Sequence, residues 1–251
     1  MFRPRIIPVL LLKDQALVKS VRFRNHKYIG DPINAVRIFN ELKADELVFL
    51  DIDASRMGRL ISTEFLRKVG DEASMPFSVG GGIRSMEDIK QILSAGAEKV
   101  VINTQAGSDP EFIKTASDAF GSSTIVVCID VKKKLFSGER AWILSGSKST
   151  RFTPLEFAGL MEQNGAGELI IQSIERDGAM TGYDIDLIRS ISAAVNVPVV
   201  ALGGAGKKED LFEAYREGRA SALAAGSMFV YQDNRRGVLI NYPEKKELSF
   251  E

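Results

Sequence analysis

Short apolar runs alternate with amphipathic segments along the whole chain. Eight runs stand out: Ile6–Leu12, Glu46–Asp51, Pro76–Val79, Lys99–Asn103, Thr124–Asp130, Glu168–Ser173, Pro198–Leu202 and Ala220–Ala225. Near-continuous apolar runs of this length, bounded by turn residues, predict strands buried on both faces, and the segments between them predict helices packed on a parallel sheet. In the first such segment Ile33, Val36, Ile38, Phe39 and Leu42 lie near one helical face, behind Asp31 as N-cap and Pro32 as first helical residue. Ser85 with Asp88, and Asp109-Pro110 ahead of Phe112 and Ile113, predict comparable starts. Eight strands is the closing number of a (β/α)8 TIM barrel, and 251 residues match the roughly 250 typical of that α/β fold.

The pattern also repeats. Pro76-Phe77-Ser78-Val79-Gly80-Gly81-Gly82 returns 122 positions later as Pro198-Val199-Val200-Ala201-Leu202-Gly203-Gly204. At the same offset Ala44–Leu47 meets Ala166–Leu169, Glu87-Asp88 meets Glu209-Asp210, and Gly96 meets Gly218. A period near half the chain implies a single barrel domain, 1–251, made of two similar half-barrels of about 1–120 and 121–251. Two connections are longer than barrel loops usually are. Lys13–Gly30, which carries Lys19, Arg22, Arg24, His26 and Lys27, reads as either a solvated hairpin or an anion-binding lid, and Lys132–Arg151 as a small hairpin.

Charge narrows the classes of partner. Lys plus Arg equals Asp plus Glu at 33 each, so no global field would hold nucleic acid or an anionic membrane, and an anionic ligand must be held locally. The opening stretch Met1–Leu12 is too short for a cleaved signal peptide or a membrane span, which leads to the expectation of a cytoplasmic protein. The single cysteine, Cys128, cannot form an intrachain disulfide, and the single histidine, His26, argues against a histidine-based metal site or triad. Neither a metal nor an organic cofactor is expected.

Chemistry in this fold sits at the C-terminal ends of the strands. Asp130 closes an otherwise apolar run and is the candidate general acid or base; a structural ion pair with a nearby lysine is the competing reading. Aligning Lys13 with Lys132 sets Leu11 opposite Asp130, so an acid/base pair spanning the mouth would lack one member. Glycine-rich strand ends allow backbone N–H groups to close around an anion. Asp177-Gly178, Gly203-Gly204 and Ala225-Gly226 form one candidate phosphate seat, and Gly81-Gly82 with Asn103-Thr104 its counterpart in the other half, together suiting a ligand with phosphate at both ends. At the opposite end Arg5, Glu46, Lys99 and Glu168 begin four strands and should ring the floor, either as a stabilising salt-bridge ring or as a gate.

These residues resemble the cyclase subunit of imidazole glycerol phosphate synthase. The resemblance runs through Arg5–Pro8, Asp45–Ile52, Val79–Arg84, Ile102–Thr104, Glu175–Gly178, Gly182–Asp184 and Gly203–Gly206, and so covers nearly the whole chain. It implies a glutaminase docked on the barrel floor, an ammonia gate at Arg5, Glu46, Lys99 and Glu168, a phosphorylated substrate at the mouth, and a catalytic role for Asp130. The family's second catalytic aspartate falls on Leu11, and Gln172 and Leu202 stand where small hydroxyl residues are expected. Leu10–Lys13, Tyr28–Asn40, Ala224–Ser227 and Val238–Pro243 look like a paralogous branch associated with amidation of bacterial surface sugars. That likeness implies ammonia supply to a separate sugar amidotransferase; a working cyclase of histidine biosynthesis, with Asp51 or Asp14 compensating, and a phosphosugar-binding regulator are the alternatives.

Overall fold

Alternation along each barrel strand sets which side chains face the axis. In β1 (Arg5–Lys13), Ile6, Leu10 and Leu12 turn outward to the helices while Ile7, Val9 and Leu11 turn inward. The computed structural model describes residues 3–135, 137–232 and 237–250. The chain continues through a hairpin, β2 (Ala16–Val21) and β3 (Arg24–Gly30), and then β4 (Leu47–Asp51), β5 (Phe77–Gly80), β6 (Lys99–Ile102) and β7 (Ile125–Lys134). A second hairpin, β8 (Gly138–Ile143) with β9 (Lys148–Ser149), precedes β10 (Glu168–Ser173), β11 (Val199–Leu202) and β12 (Ala222–Ala225). Strands β1, β4, β5, β6, β7, β10, β11 and β12 pair in parallel in that order, β12 returns to β1, and the barrel is closed. The eight-stranded α/β barrel expected from the periodicity is the fold of this chain.

Helices between these strands start where capping chemistry allows. Helix α1 (Pro32–Glu41) begins behind Asp31, whose carboxylate accepts from Asn34 N at 2.8 Å. Next come α2 (Ala54–Met57), α3 (Thr63–Glu72) and α4 (Met86–Ser94), the last opened by a reciprocal Ser85–Asp88 capping box. Asp109 departs from expectation: it ends the short α5 (Thr104–Ser108), and α6 (Glu111–Phe120) starts with no side-chain cap. Three further helices, α7 (Pro154–Gln163), α8 (Ile185–Ser192) and α9 (Lys208–Arg216), complete the ring. After β12 no α-helix follows among the described residues. The last flank is covered instead by an extended strap in which Leu239 N donates to Val230 O and Asn241 N to Phe229 O, with Ile240, Tyr242 and Phe250 packed on the core.

Both long connections fold back over the mouth. Residues 13–30 form a hairpin, as one reading held; Leu17–Ser20 of β2 are buried, while β3 is largely exposed to solvent. The fifth barrel strand runs past Asp130 to Lys134 to pair with β8. Gly146, in the second hairpin, lies against Phe23 in the first, where a Cβ would come within 3.0 Å of the Phe23 ring and of Ile174. No described helix is long and apolar enough to cross a membrane.

Candidate functional site

The inward side chains form layers, and the lowest is ionic. Arg5 pairs with both Glu46 and Glu168; Lys99 pairs with the same two carboxylates at 3.5 and 3.0 Å, and Ser78 Oγ donates to Glu46 at 2.7 Å. The two glutamates are almost fully buried while Arg5 keeps contact with solvent. Burial works against the Arg5 charge, but Glu168 and Glu46 more than offset it and hold its pKa above the ordinary value. Two cations bridging two buried carboxylates satisfy one another across the barrel end, which makes charge tolerable there. Above this ring the axis is apolar: Ile7, Val9, Val48, Val101, Val126, Ile170, Val200, Ala222 and Ala224 fill it.

At the top layer Leu11, Leu50 and Leu202 form an apolar wall beside Asn103, Asp130 and Gln172. Leu11 and Asp130 line one chamber, on strands diametrically placed in the strand order. Asp130 is 6% exposed, and burial pushes its carboxyl up to about 7; the Cys128 thiol, 3.5 Å from Oδ1, opposes this, and the charge of Asp177 adds to it. Asn103 Nδ2 reaches Asp130 Oδ2 at 3.4 Å, Cys128 O at 3.0 Å and Trp142 O at 3.1 Å, while Thr104 Oγ1 accepts from Leu144 N. One amide thus ties the acid to the roof formed by the second hairpin. No lysine ion pair restrains Asp130 among the described residues, so the structural-pair reading of this carboxylate has no partner.

Glycine geometry is mirrored in the two halves. Gly82 (φ +76°) leaves no space for a Cβ against Arg59 O, and Gly204 (φ +115°) none against Gly182 O. Correspondingly, Ile61 N donates to Gly81 O at 3.0 Å and Gly182 N to Gly204 O at 2.9 Å. Gly81, Gly82, Asn103 and Thr104 line the main chamber; Asp177, Gly178, Gly203, Gly204, Ala225 and Gly226 line an adjoining narrower cleft that shares Leu11, Ser20 and Gln172 with it. The Asp177 carboxylate is turned to the first hairpin, accepting from Ser20 Oγ at 2.7 Å and from Phe23 N at 3.3 Å, while Asp177 O accepts from Arg22 N. Burial raises the Asp177 pKa, and these donors with Lys19 work against the rise.

Asp51 is not a spare acid. Its carboxylate is bound by Arg59 at 2.5 and 3.3 Å and accepts from Asp53 N and Ala54 N, while Asp14 is exposed in the hairpin turn. Asp53 is held below the usual range: burial raises its pKa, but Arg56 and Lys13 outweigh that. Sequence reasoning named Lys19 only as one cation of a hairpin or anion-binding lid, gave Ser20 and Phe23 no role, and saw in Cys128 only a thiol that cannot form an intrachain disulfide. Ala16–Val21 forms a strand whose four central residues are all buried, and because Ala-Leu-Val-Lys-Ser-Val does not alternate, no local signal marked which side chains reach the mouth. His26 also lines the chamber; burial, with Lys13 and Arg56 nearby, lowers its pKa, so the imidazole is neutral at pH 7. Among the described residues no group of three His, Cys, Asp or Glu is placed to hold a metal ion.

Residues 5–235 match the family model described as histidine biosynthesis protein. A Pseudomonas aeruginosa protein whose name provisionally calls it subunit hisF2 of imidazole glycerol phosphate synthase is 46% identical over 248 residues, 99% of each chain. The imidazole glycerol phosphate synthase subunit HisF of Caulobacter vibrioides is 45% identical over 230 residues, 91% of this chain and 88% of its own length.

Proposed function

The chain belongs to the family of HisF-type cyclase subunits of imidazole glycerol phosphate synthase, and on that footing we propose that it conducts ammonia within a glutamine-dependent amidotransferase complex serving a surface-polysaccharide sugar. The carrying observation is a kept floor beside an altered mouth: Arg5, Glu46, Lys99 and Glu168 close an ionic ring below an apolar axis, yet Leu11 faces Asp130. An apolar column excludes ions because desolvating a charge is costly, whereas small neutral ammonia pays far less. A class I glutaminase docked at the floor supplies the ammonia, and a separate sugar amidotransferase uses it. The two glycine seats hold phosphates of a small-molecule ligand, Asp130 moves a proton, and the two similar halves act as one domain.

Cyclisation needs proton transfer on both sides of the substrate, and losing one partner costs about 10²- to 10⁴-fold in rate. Among the described residues Asp51, the carboxylate that could have compensated, is held by Arg59, and Asp14 is exposed in the hairpin turn. The test is to combine the chain with its glutaminase and the bis-phosphate substrate of the histidine-pathway cyclase, and follow ammonia-dependent product. The expected rate is at least about 100-fold below that of an authentic cyclase; comparable turnover would return this chain to histidine synthesis.

A further inference from the structure

On β2 one cation is buried without a counter-charge. Lys19 is 3% exposed, and its Nζ donates to Val9 O at 2.5 Å. Among the described residues it makes no ion pair; Asp177 acts on it only at longer range. The amine stands inside the second glycine cleft, where a Cβ on Gly226 would come within 2.5 Å of Nζ, and Leu11 and Leu202 form the adjoining wall. Burial lowers its pKa to about 8, with Asp177 opposing, so roughly a tenth is free amine at pH 7. An acid at position 11 would give the ammonium a partner; leucine keeps it desolvated. A primary amine can donate one N–H to Val9 O and still offer its lone pair to the cleft.

From this placement we propose that Lys19 is an imine-forming nucleophile for a short phosphorylated ketose or aldose, whose phosphate occupies a glycine seat. Desolvated lysines beside anion seats suit this chemistry, because only the neutral amine attacks a carbonyl. The lone pair of Nζ forms a bond to the carbonyl carbon, and the C=O π pair passes to oxygen. Both amine protons reach that oxygen, relayed by the Asp177 carboxyl that lines the same cleft; the C–O bond then breaks and water leaves as C=N forms. Amine and carbonyl give imine and water, with no oxidant or further reactant. The inference goes beyond ammonia conduction and is independent of it, since it needs neither glutaminase nor ammonia.

The experiment uses the full chain alone. It is incubated with dihydroxyacetone phosphate or ribulose 5-phosphate, reduced with sodium borohydride, digested and mapped by mass spectrometry. The expected result is a mass gain on Lys19 equal to the probe less one oxygen atom, at least ten-fold above that given by unphosphorylated dihydroxyacetone and suppressed by inorganic phosphate. Leu11→Asp, which leaves Lys19 in place, should lower the label at least ten-fold. Absence of label at Lys19 in the unaltered chain, or equal labelling of exposed lysines such as Lys68 and Lys114 without preference for phosphate, overturns the proposal; both readings are made on the native sequence and do not rely on a variant folding.

Discussion

Asp130 carries a cost that the protein reveals through pH. Its pKa is raised to about 7 by burial, so the folded chain retains a proton there that the unfolded chain has lost. A carboxyl raised on folding contributes full stability below its ordinary pKa, near 4, and that contribution is lost as pH rises through about 7. Asp130→Asn removes this dependence: relative to the native chain it should gain stability between pH 5 and pH 8, by at most about 3 kcal/mol. Urea denaturation at both pH values measures it, and an identical difference at the two would contradict the assignment. At this scale the sequence displayed Asp130 and Leu11 plainly, because a single charged or apolar residue at a strand end needs no neighbours to be noticed. The setting of Lys19 was hidden, since it is made by Val9 in the middle of β1, Leu202 at the end of β11 and Gly226 after β12.

Among the elements, the strand–glycine junctions are the least tolerant. Alanine at Gly82 combines a positive φ with a collision against Arg59 O and should cost more than about 1 kcal/mol. Gly159, in α7, has open space around it and no such φ; alanine there should stabilise by about 0.5–1 kcal/mol through helix propensity. Thermal unfolding of the two variants should therefore move in opposite directions. Strands and helices were legible because period and caps are local: Asp31 and Ser85 cap as their spacing required. The hairpins were less so. Nothing local tells that Asp177 receives Ser20 and Phe23, or that Gly146 meets Phe23, since these contacts join segments more than a hundred residues apart.

For the molecule as a whole, the ionic ring and the glycine-lined mouth lie at two ends of one axis. Lys99→Ala leaves Arg5 alone to serve Glu46 and Glu168. In the complex with glutaminase it should change the ratio of ammonia delivered to glutamine hydrolysed, while affinity for inorganic phosphate at the mouth stays within about two-fold, since the two ends are separated by the apolar column. Unchanged coupling would favour a regulator over a conduit. The whole barrel was legible because eight runs and a repeat leave little freedom in how a parallel sheet closes. The strap after β12 was not, because it lacks helical period altogether. Tyr242 on that strap donates its hydroxyl to Ile6 O and accepts from Asp45 N, and Asp45 in turn holds Ile6 N and Arg3. The end of the chain therefore works as the hoop that binds the last stave to the first, and shortening it by even its final dozen residues would slacken the cask at the seam where Arg5 enters.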